Sequence, residues 1–148
     1  MYERGFERMN LLIKDNLKYC ILLYNKNEMS KKTIVLGASP NPERYSYLAV
    51  ERLRHHQHPV VAIGKRKGTI KDVEIMKELP VLNDVDTITL YLNANNQKEY
   101  YDYILQTNPK RIIFNPGAEN EELFNLAKAN GIEPVEACTL VMLGTNQF

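Results

Sequence analysis

The sequence predicts an α/β fold: a Rossmann-like, doubly wound and mainly parallel sheet of about five strands with helices on both faces. Short apolar runs of strand type alternate along the chain with segments whose apolar residues have helical spacing. The first run, Thr33–Leu36, ends at Gly37, and a glycine there allows a sharp turn. The first strand, the helix after it and the second strand together span roughly 30 residues, the size of a right-handed βαβ crossover.

The first βαβ unit is the clearest element of the pattern. Thr33–Leu36 is a β-branched and aliphatic run of the kind found at the centre of a parallel sheet. Arg44–His56 has the apolar spacing of a helix, and Val60–Ile63 is a second, wholly apolar strand. The start of this helix is expected to point at the turn after the first strand, where free N–H groups favour an anion.

The rest of the chain continues the alternation after one ambiguous segment. Thr69–Leu82 fits either a short helix or a short strand, because its few apolar residues satisfy both spacings. Beyond it the pattern predicts, in order, strand Thr87–Leu92, helix Gln97–Gln106, strand Arg111–Phe114, helix Glu119–Asn130 and strand Glu133–Glu136.

The first 28 residues differ in character from the remainder. We expect residues 1–28 to be an N-terminal extension, upstream of the true start of the protein, and residues 29–148 to form the domain. The alternative is a helix over about Phe6 to Leu23 that packs on the domain or on a partner. The apolar run Tyr19–Tyr24 is shorter than the 18 residues or more of a membrane-spanning helix.

Composition excludes several classes of function. The 148 residues carry a net charge of +1, so charge gives no general reason to expect nucleic acid or membrane as a partner. Cys20 and Cys138 form no Cys-x-x-Cys motif, which argues against a disulfide framework and predicts a reducing, cytoplasmic location. His55, His56 and His58 lack the i, i+4 spacing of a metal-binding pair, so no metal is expected.

In a doubly wound sheet, ligands bind at the carboxyl ends of the strands near the switch point in strand order. The loops expected to form a site are therefore those that follow the predicted strands: Gly37–Asn41, Gly64–Gly68, Asn93–Gln97, Asn115–Glu119 and Ala137–Thr139.

The loop after the second strand indicates the kind of nucleotide. A fold that binds NAD usually places an acidic residue there, whereas this chain has Lys65-Arg66-Lys67 between two glycines. Three cations would attract a further phosphate on the adenosine ribose, which predicts NADP or coenzyme A (CoA). The alternative is a solvated turn. Because Pro40 and Pro42 remove two backbone donors, the first turn is not a standard pyrophosphate loop, and NAD-type binding is disfavoured.

From Lys31 to Phe148 the chain resembles the small CoA-binding proteins, Rossmann-like domains similar to the CoA-binding domain of the succinyl-CoA synthetase α subunit. The resemblance rests on four segments: Gly37–Tyr45, Gly64–Gly68, Arg111–Gly117 and Glu136–Thr139. It implies that the turn after the first strand contacts the CoA phosphates or ribose, and that Lys65 or Lys67 faces the 3′-phosphate. It also implies that Tyr91–Ala94 lines the adenine or pantetheine path.

The candidate binding residues lie in these carboxyl-end loops, at the end of the strand Thr87–Leu92 or at the start of the first helix. They are Gly37, Ala38, Ser39, Pro40, Asn41, Tyr45, Gly64, Lys65, Arg66, Lys67, Tyr91, Leu92, Asn93, Ala94, Gln97, Asn115, Pro116, Gly117 and Cys138.

No residue is assigned a catalytic role. Cys138 is expected to be buried or to line the ligand, the alternative being a nucleophile for thiol chemistry. The acidic residues at the start of Glu119–Asn130 are explained by the helix dipole. The predicted function is binding of CoA or an acyl-CoA; the alternatives are an NADP-dependent oxidoreductase and a ligand-free protein–protein module. A homodimer is compatible with the sequence.

Overall fold

The computed structural model describes the backbone of residues 2–148 and the side chains of residues 7–22 and 30–148. The chain forms two compact units, residues 1–30 and residues 31–148. The first unit is a single helix, α1 (Tyr2–Met29), whose described side chains, residues 7–22, are all exposed. Among the described residues, no helix is long and apolar enough to cross a bilayer. That residues 1–28 are an extension stays a prediction.

The second unit is built on a seven-stranded sheet. Its strands are β1 (Thr33–Leu36), β2 (Val60–Ile63), β3 (Gly68–Ile70), β4 (Val73–Met76), β5 (Thr87–Leu90), β6 (Arg111–Phe114) and β7 (Glu133–Glu136). Their spatial order is β3-β4-β2-β1-β5-β6-β7, and every neighbouring pair is parallel except β3 with β4. Without β3 this is the Rossmann strand order, and its switch point lies between β1 and β5.

The strand count is two higher than the predicted five because the ambiguous segment contains a hairpin. β3 and β4 pair antiparallel across a two-residue turn whose first residue, Lys71, has φ +53°. Val73 and Ile75 are buried on one face while Glu74 between them is exposed, which is the period-two pattern of a strand. Pairing with β2 at Ala62 therefore decides between the two structures that the local spacing left open.

Helices lie on both faces, as predicted, with some differences in their limits. They are α2 (Tyr45–His55), α3 (Ala94–Gln97), α4 (Tyr101–Thr107), α5 (Glu121–Ala129) and α6 (Thr139–Gly144), with a 3₁₀ turn, Lys98–Tyr100, between α3 and α4. The predicted helix Gln97–Gln106 thus begins earlier, where the Asn93 side chain accepts from the Asn96 N–H at 3.0 Å. The strand predicted as Thr87–Leu92 ends at Leu90, and α6 has no counterpart in the predicted elements.

Alternating residues of β1 divide the hydrophobic core into two layers. Ile34 and Leu36 pack with Ile104 of α4 and Leu123 of α5, on one face of the sheet. Val35 faces the other side, in a cluster with residues of α2, α6 and the β3–β4 hairpin. Both faces of β1 are therefore covered by side chains, as is typical of a central strand in a parallel sheet.

Candidate functional site

The carboxyl ends of β1, β2 and β5 are fastened to one another by backbone hydrogen bonds. The N–H groups of Gly37 and Ala38 both donate to the Ile63 carbonyl oxygen, each at 2.9 Å. On the other side of β1, the Tyr91 N–H donates to the Leu36 carbonyl oxygen at 2.9 Å. The first turn is therefore tied to its neighbours on both sides, and the amides of Gly37 and Ala38 are already occupied.

Glycines make this close packing of loops possible. A Cβ on Gly64 would overlap the Ala38 carbonyl oxygen, and one on Gly68 would lie 2.5 Å from Pro40 Cβ. Gly37 has φ +93°, and a Cβ there would lie 2.7 Å from the Tyr91 carbonyl oxygen. Since real Cβ atoms do not approach other atoms this closely, the loops after β1, β2 and β5 can meet only with glycine at these positions.

The first turn leaves a small set of backbone donors free. Ser39 Oγ accepts from the Asn41 N–H at 3.2 Å, and Asn41 Oδ1 accepts from the Glu43 N–H at 3.0 Å, so these side chains shape the turn itself. Within the described residues, the amides of Ser39, Tyr45 and Ser46 have no hydrogen-bond partner. Two of these amides begin α2, where the helix dipole adds partial positive charge.

The basic loop presents its three cations to solvent. Lys65, Arg66 and Lys67 are all exposed. Lys65 Nζ lies 3.3 Å from Glu99 Oε1, whereas Arg66 and Lys67 form no ion pair with any described residue. Two cations of this loop are thus free of ion pairs with described residues, although the charge of Lys67 acts on Glu78, and the third is shared with Glu99.

Gln97 is a scaffold residue of the loop after β5. Its side chain is fully buried, and Nε2 donates to the Leu92 and Ala118 carbonyl oxygens, both at 2.7 Å. Its Oε1 accepts from Asn120 Nδ2 at 2.9 Å. Because these bonds occupy both the amide nitrogen and the amide oxygen, Gln97 joins the loops after β5 and β6 and leaves Asn93 and Ala94 at the surface of the crevice.

Asn115, at the end of β6, is a second scaffold residue. Its Nδ2 donates to Thr89 Oγ1 at 2.7 Å and to the Leu90 carbonyl oxygen at 2.9 Å, while Oδ1 accepts from the Thr139 N–H at 2.9 Å. The hydroxyls of Thr89 and Thr139 are 2.7 Å apart. This buried network connects β5, β6 and the start of α6, so Asn115 shapes the edge of the site from beneath.

Tyr91 lies against this network. Its hydroxyl is buried and has no hydrogen-bond partner among the described residues. Burial raises the pKa of Tyr91 well above its usual range, and the nearby Thr139 and Thr89 hydroxyls lower it by less. The phenol therefore stays neutral, with its ring against the α2–α6 layer of the core.

The remaining candidates differ in exposure. Tyr45 is 72% exposed on the first turn of α2. Pro116 and Gly117 are exposed after β6, and the Gly117 N–H donates to Glu119 Oε2 at 2.8 Å. Cys138 is half-buried immediately before α6. No three His, Cys, Asp or Glu side chains among the described residues could hold a metal ion together.

Apart from Tyr45 and Gln97, which lie in α2 and α3, the predicted site residues thus fall into two groups. The carboxyl ends of three adjacent strands bring together Gly37–Asn41, Gly64–Lys67 and Tyr91–Ala94, whereas Asn115–Gly117 and Cys138 follow the two strands beyond β5. Sequence reasoning predicted free N–H groups at the start of α2 without naming Ser46, and it did not identify the carboxylate of Glu99. Neither residue belongs to a motif, because the first acts through its backbone and the second through an ion pair formed by folding.

Solved structures share this architecture. One, described as an uncharacterized protein, is 53% identical to this chain, with a TM-score of 0.79, and the match covers 80% of this chain and 98% of that one. The protein cell-free ID.343 from Thermus thermophilus is 19% identical, with a TM-score of 0.72, and the match covers 85% of this chain and 96% of that one. A hypothetical protein from Pyrococcus horikoshii OT3 is 20% identical, with a TM-score of 0.70, and the match covers 80% of this chain and 84% of that one. The last two show likeness of fold alone.

No protein of curated function matches the chain. The family described as CoA binding domain matches residues 31–144, which include every strand of the sheet and all the loops described above. The chain belongs to the CoA binding domain family.

Proposed function

We propose that the chain binds coenzyme A, or an acyl-CoA, across the carboxyl ends of β1, β2 and β5. The proposal rests on one observation: the adjoining loops after β1 and β2 carry backbone N–H groups and cationic side chains without partners in the part of the chain that the structure describes. The amides of Ser39, Tyr45 and Ser46 lack partners among the described residues, and Arg66 and Lys67 on the adjacent loop lack ion pairs there. Membership of the CoA binding domain family supports the same ligand.

The order of the strands suggests how CoA would lie. The free amides at the turn after β1 and the start of α2 suit the diphosphate, because helix N-termini stabilise anions. The Lys65–Lys67 loop, on the β2 side of that turn, suits the 3′-phosphate. The pantetheine or adenine would then extend over β5, along Leu92–Ala94.

A titration of the full chain with CoA, dephospho-CoA and NADP by calorimetry tests the proposal. We expect CoA to bind, and removal of the 3′-phosphate to weaken binding by about 1–3 kcal/mol, the scale of charge-assisted hydrogen bonds. Binding of NADP with no binding of CoA would refute the proposal and favour the oxidoreductase alternative. Absence of binding by all three ligands would refute it in favour of a protein–protein module.

A double variant tests the role of the basic loop. Lys65→Ala with Lys67→Ala should weaken CoA binding about tenfold and leave dephospho-CoA binding nearly unchanged, because only CoA carries the 3′-phosphate. The matched control is Lys110→Ala with Lys128→Ala, which removes two exposed lysines from elsewhere in the domain. Equal CoA affinity in the two double variants would show that the basic loop does not contact the ligand.

A further inference from the structure

An ion pair joins two segments of the proposed site. Lys65 follows β2, and Glu99 lies in the 3₁₀ turn Lys98–Tyr100 that follows β5 and α3. β2 and β5 are the two neighbours of β1 in the sheet, and Lys65 Nζ lies 3.3 Å from Glu99 Oε1. The pair therefore connects the segments that follow the two neighbours of β1.

Both residues of the pair follow residues that other contacts hold in place. Lys65 comes directly after Gly64, whose backbone is in contact with Ala38 and whose N–H donates to the Met76 carbonyl oxygen at 2.9 Å. Glu99 comes two residues after Gln97, the buried amide that joins two loops. Because both side chains are exposed, the pair can open by rotation of these side chains.

The charges around the pair are unequal. Lys65, Arg66 and Lys67 are consecutive cations, Glu99 forms an ion pair with Lys65, and backbone N–H groups together with the charge of Lys67 lower the pKa of Glu78. The side chains of Lys65 and Glu99 are 67% and 54% exposed, so the pair is solvated and easily exchanged. A phosphate monoester carries more negative charge than a carboxylate at neutral pH and competes effectively for the same ammonium group.

We propose that Glu99 is an electrostatic latch on Lys65: it holds the ammonium group in an ion pair until a phosphate monoester on the ligand displaces it. The inference rests on the proposed function and goes beyond it, because it makes Glu99 a determinant of how strongly the site prefers ligands with a phosphate monoester. A ligand with a monoester phosphate near Lys65 displaces Glu99, whereas a ligand without one binds with the ion pair intact.

The test compares Glu99→Gln with the wild-type chain by calorimetry, using CoA and dephospho-CoA. Loss of the competing carboxylate should tighten CoA binding about two- to fivefold, the range expected for an exposed ion pair, and leave dephospho-CoA binding unchanged. Asp102→Asn is the matched control, since it removes the same charge from an exposed side chain three residues away and should change neither affinity. In a Lys65→Ala background, Glu99→Gln should have no effect on CoA binding.

Several results would overturn the latch. If Glu99→Gln tightened the binding of CoA and dephospho-CoA equally, or tightened CoA binding in the Lys65→Ala background too, Glu99 would repel ligands in general. It would then not compete with the ligand phosphate for Lys65. Unchanged or weaker CoA binding by Glu99→Gln would show that the carboxylate does not compete with the ligand. In each of these cases wild-type CoA binding is intact, which separates them from failure of wild-type binding, where the proposed function and the latch fall together.

Discussion

Replacement of Gly64 by alanine tests whether the close packing of loops is needed for the fold and the site. The added Cβ would overlap the Ala38 carbonyl oxygen, and would lie 3.0 Å from the Ala38 carbonyl carbon and 3.2 Å from Ile75 Cγ2. Carbon atoms in contact are normally about 3.5–4.0 Å apart, so the loops must separate by roughly 1 Å. Because the obstacle is backbone on one side and a buried side chain on the other, neither can move away alone.

The expected loss of stability comes from the packing and the hydrogen bonds that this separation disturbs. Overpacking of a buried site costs about 1–3 kcal/mol. Separation also stretches the hydrogen bonds from Gly37 and Ala38 to Ile63, each worth about 1 kcal/mol net. We therefore expect Gly64→Ala to lower the free energy of unfolding by about 2–4 kcal/mol and to weaken CoA binding as well.

Urea unfolding followed by circular dichroism measures the change in stability, and calorimetry measures CoA affinity. The matched control is Gly144→Ala at the end of α6, where a Cβ meets no atom within 4 Å. That variant should keep wild-type stability or gain less than about 1 kcal/mol, since alanine suits a helix better than glycine. If Gly64→Ala matched Gly144→Ala in both stability and CoA affinity, tight contact between these loops would not be a requirement of the molecule.

Two further predictions concern buried polar groups. Asn115→Ala should lower the free energy of unfolding by about 2–4 kcal/mol, because it leaves the Thr139 N–H and other buried groups unpaired. The control Asn125→Ala, on the exposed face of α5, should lower it by under about 0.5 kcal/mol. Equal urea midpoints for the two variants would contradict this prediction. Burial, and then the charges of His56, Lys31 and Arg111, lower the pKa of His58, whose Nδ1 accepts the Lys31 N–H at 3.0 Å. His58 therefore takes up a proton more readily in the unfolded chain than in the folded one. The stability that neutral His58 contributes is complete above about pH 6.5 and is lost as the pH falls below that value. The free energy of unfolding, measured from pH 7.5 to 5, should decrease as the pH falls, and His58→Asn should make this decrease smaller. The same dependence on pH in that variant would refute the assignment to His58.

Four strands have the predicted limits, and three of them share one property; the fourth, Glu133–Glu136, is exposed at both ends. Thr33–Leu36, Val60–Ile63 and Arg111–Phe114 are runs of apolar or β-branched residues, apart from Arg111 itself. Each is buried or nearly so on both faces, so local composition and tertiary environment agree. The β3–β4 hairpin lacks this agreement: its few apolar residues are separated by polar ones and fit a helix as well as a strand, and only pairing with β2 selects the strand.

The candidate site was predictable at the level of loops and not of individual contacts. Strand alternation places the carboxyl-end loops together, and the glycines and lysines in them could be identified from their positions. Gln97 and Asn115 illustrate the limit, because their hydrogen-bond partners include residues more than 20 positions away in the chain. Side-chain amides are equally suited to bind a ligand or to join two loops, and only the folded geometry shows that these two join loops.

The polar groups of the candidate site are of two kinds, with different roles. The buried amides of Gln97 and Asn115 form hydrogen bonds within the protein that join neighbouring loops. The groups without a partner among the described residues include backbone amides at the first turn and the exposed cations Arg66 and Lys67. Such amides recognise an anion by position, whereas solvated lysines recognise it by charge and are screened by salt. It follows that substitutions beneath the loops should impair folding and every ligand alike, while substitutions on the basic loop and at Glu99 should alter the preference among phosphorylated ligands alone.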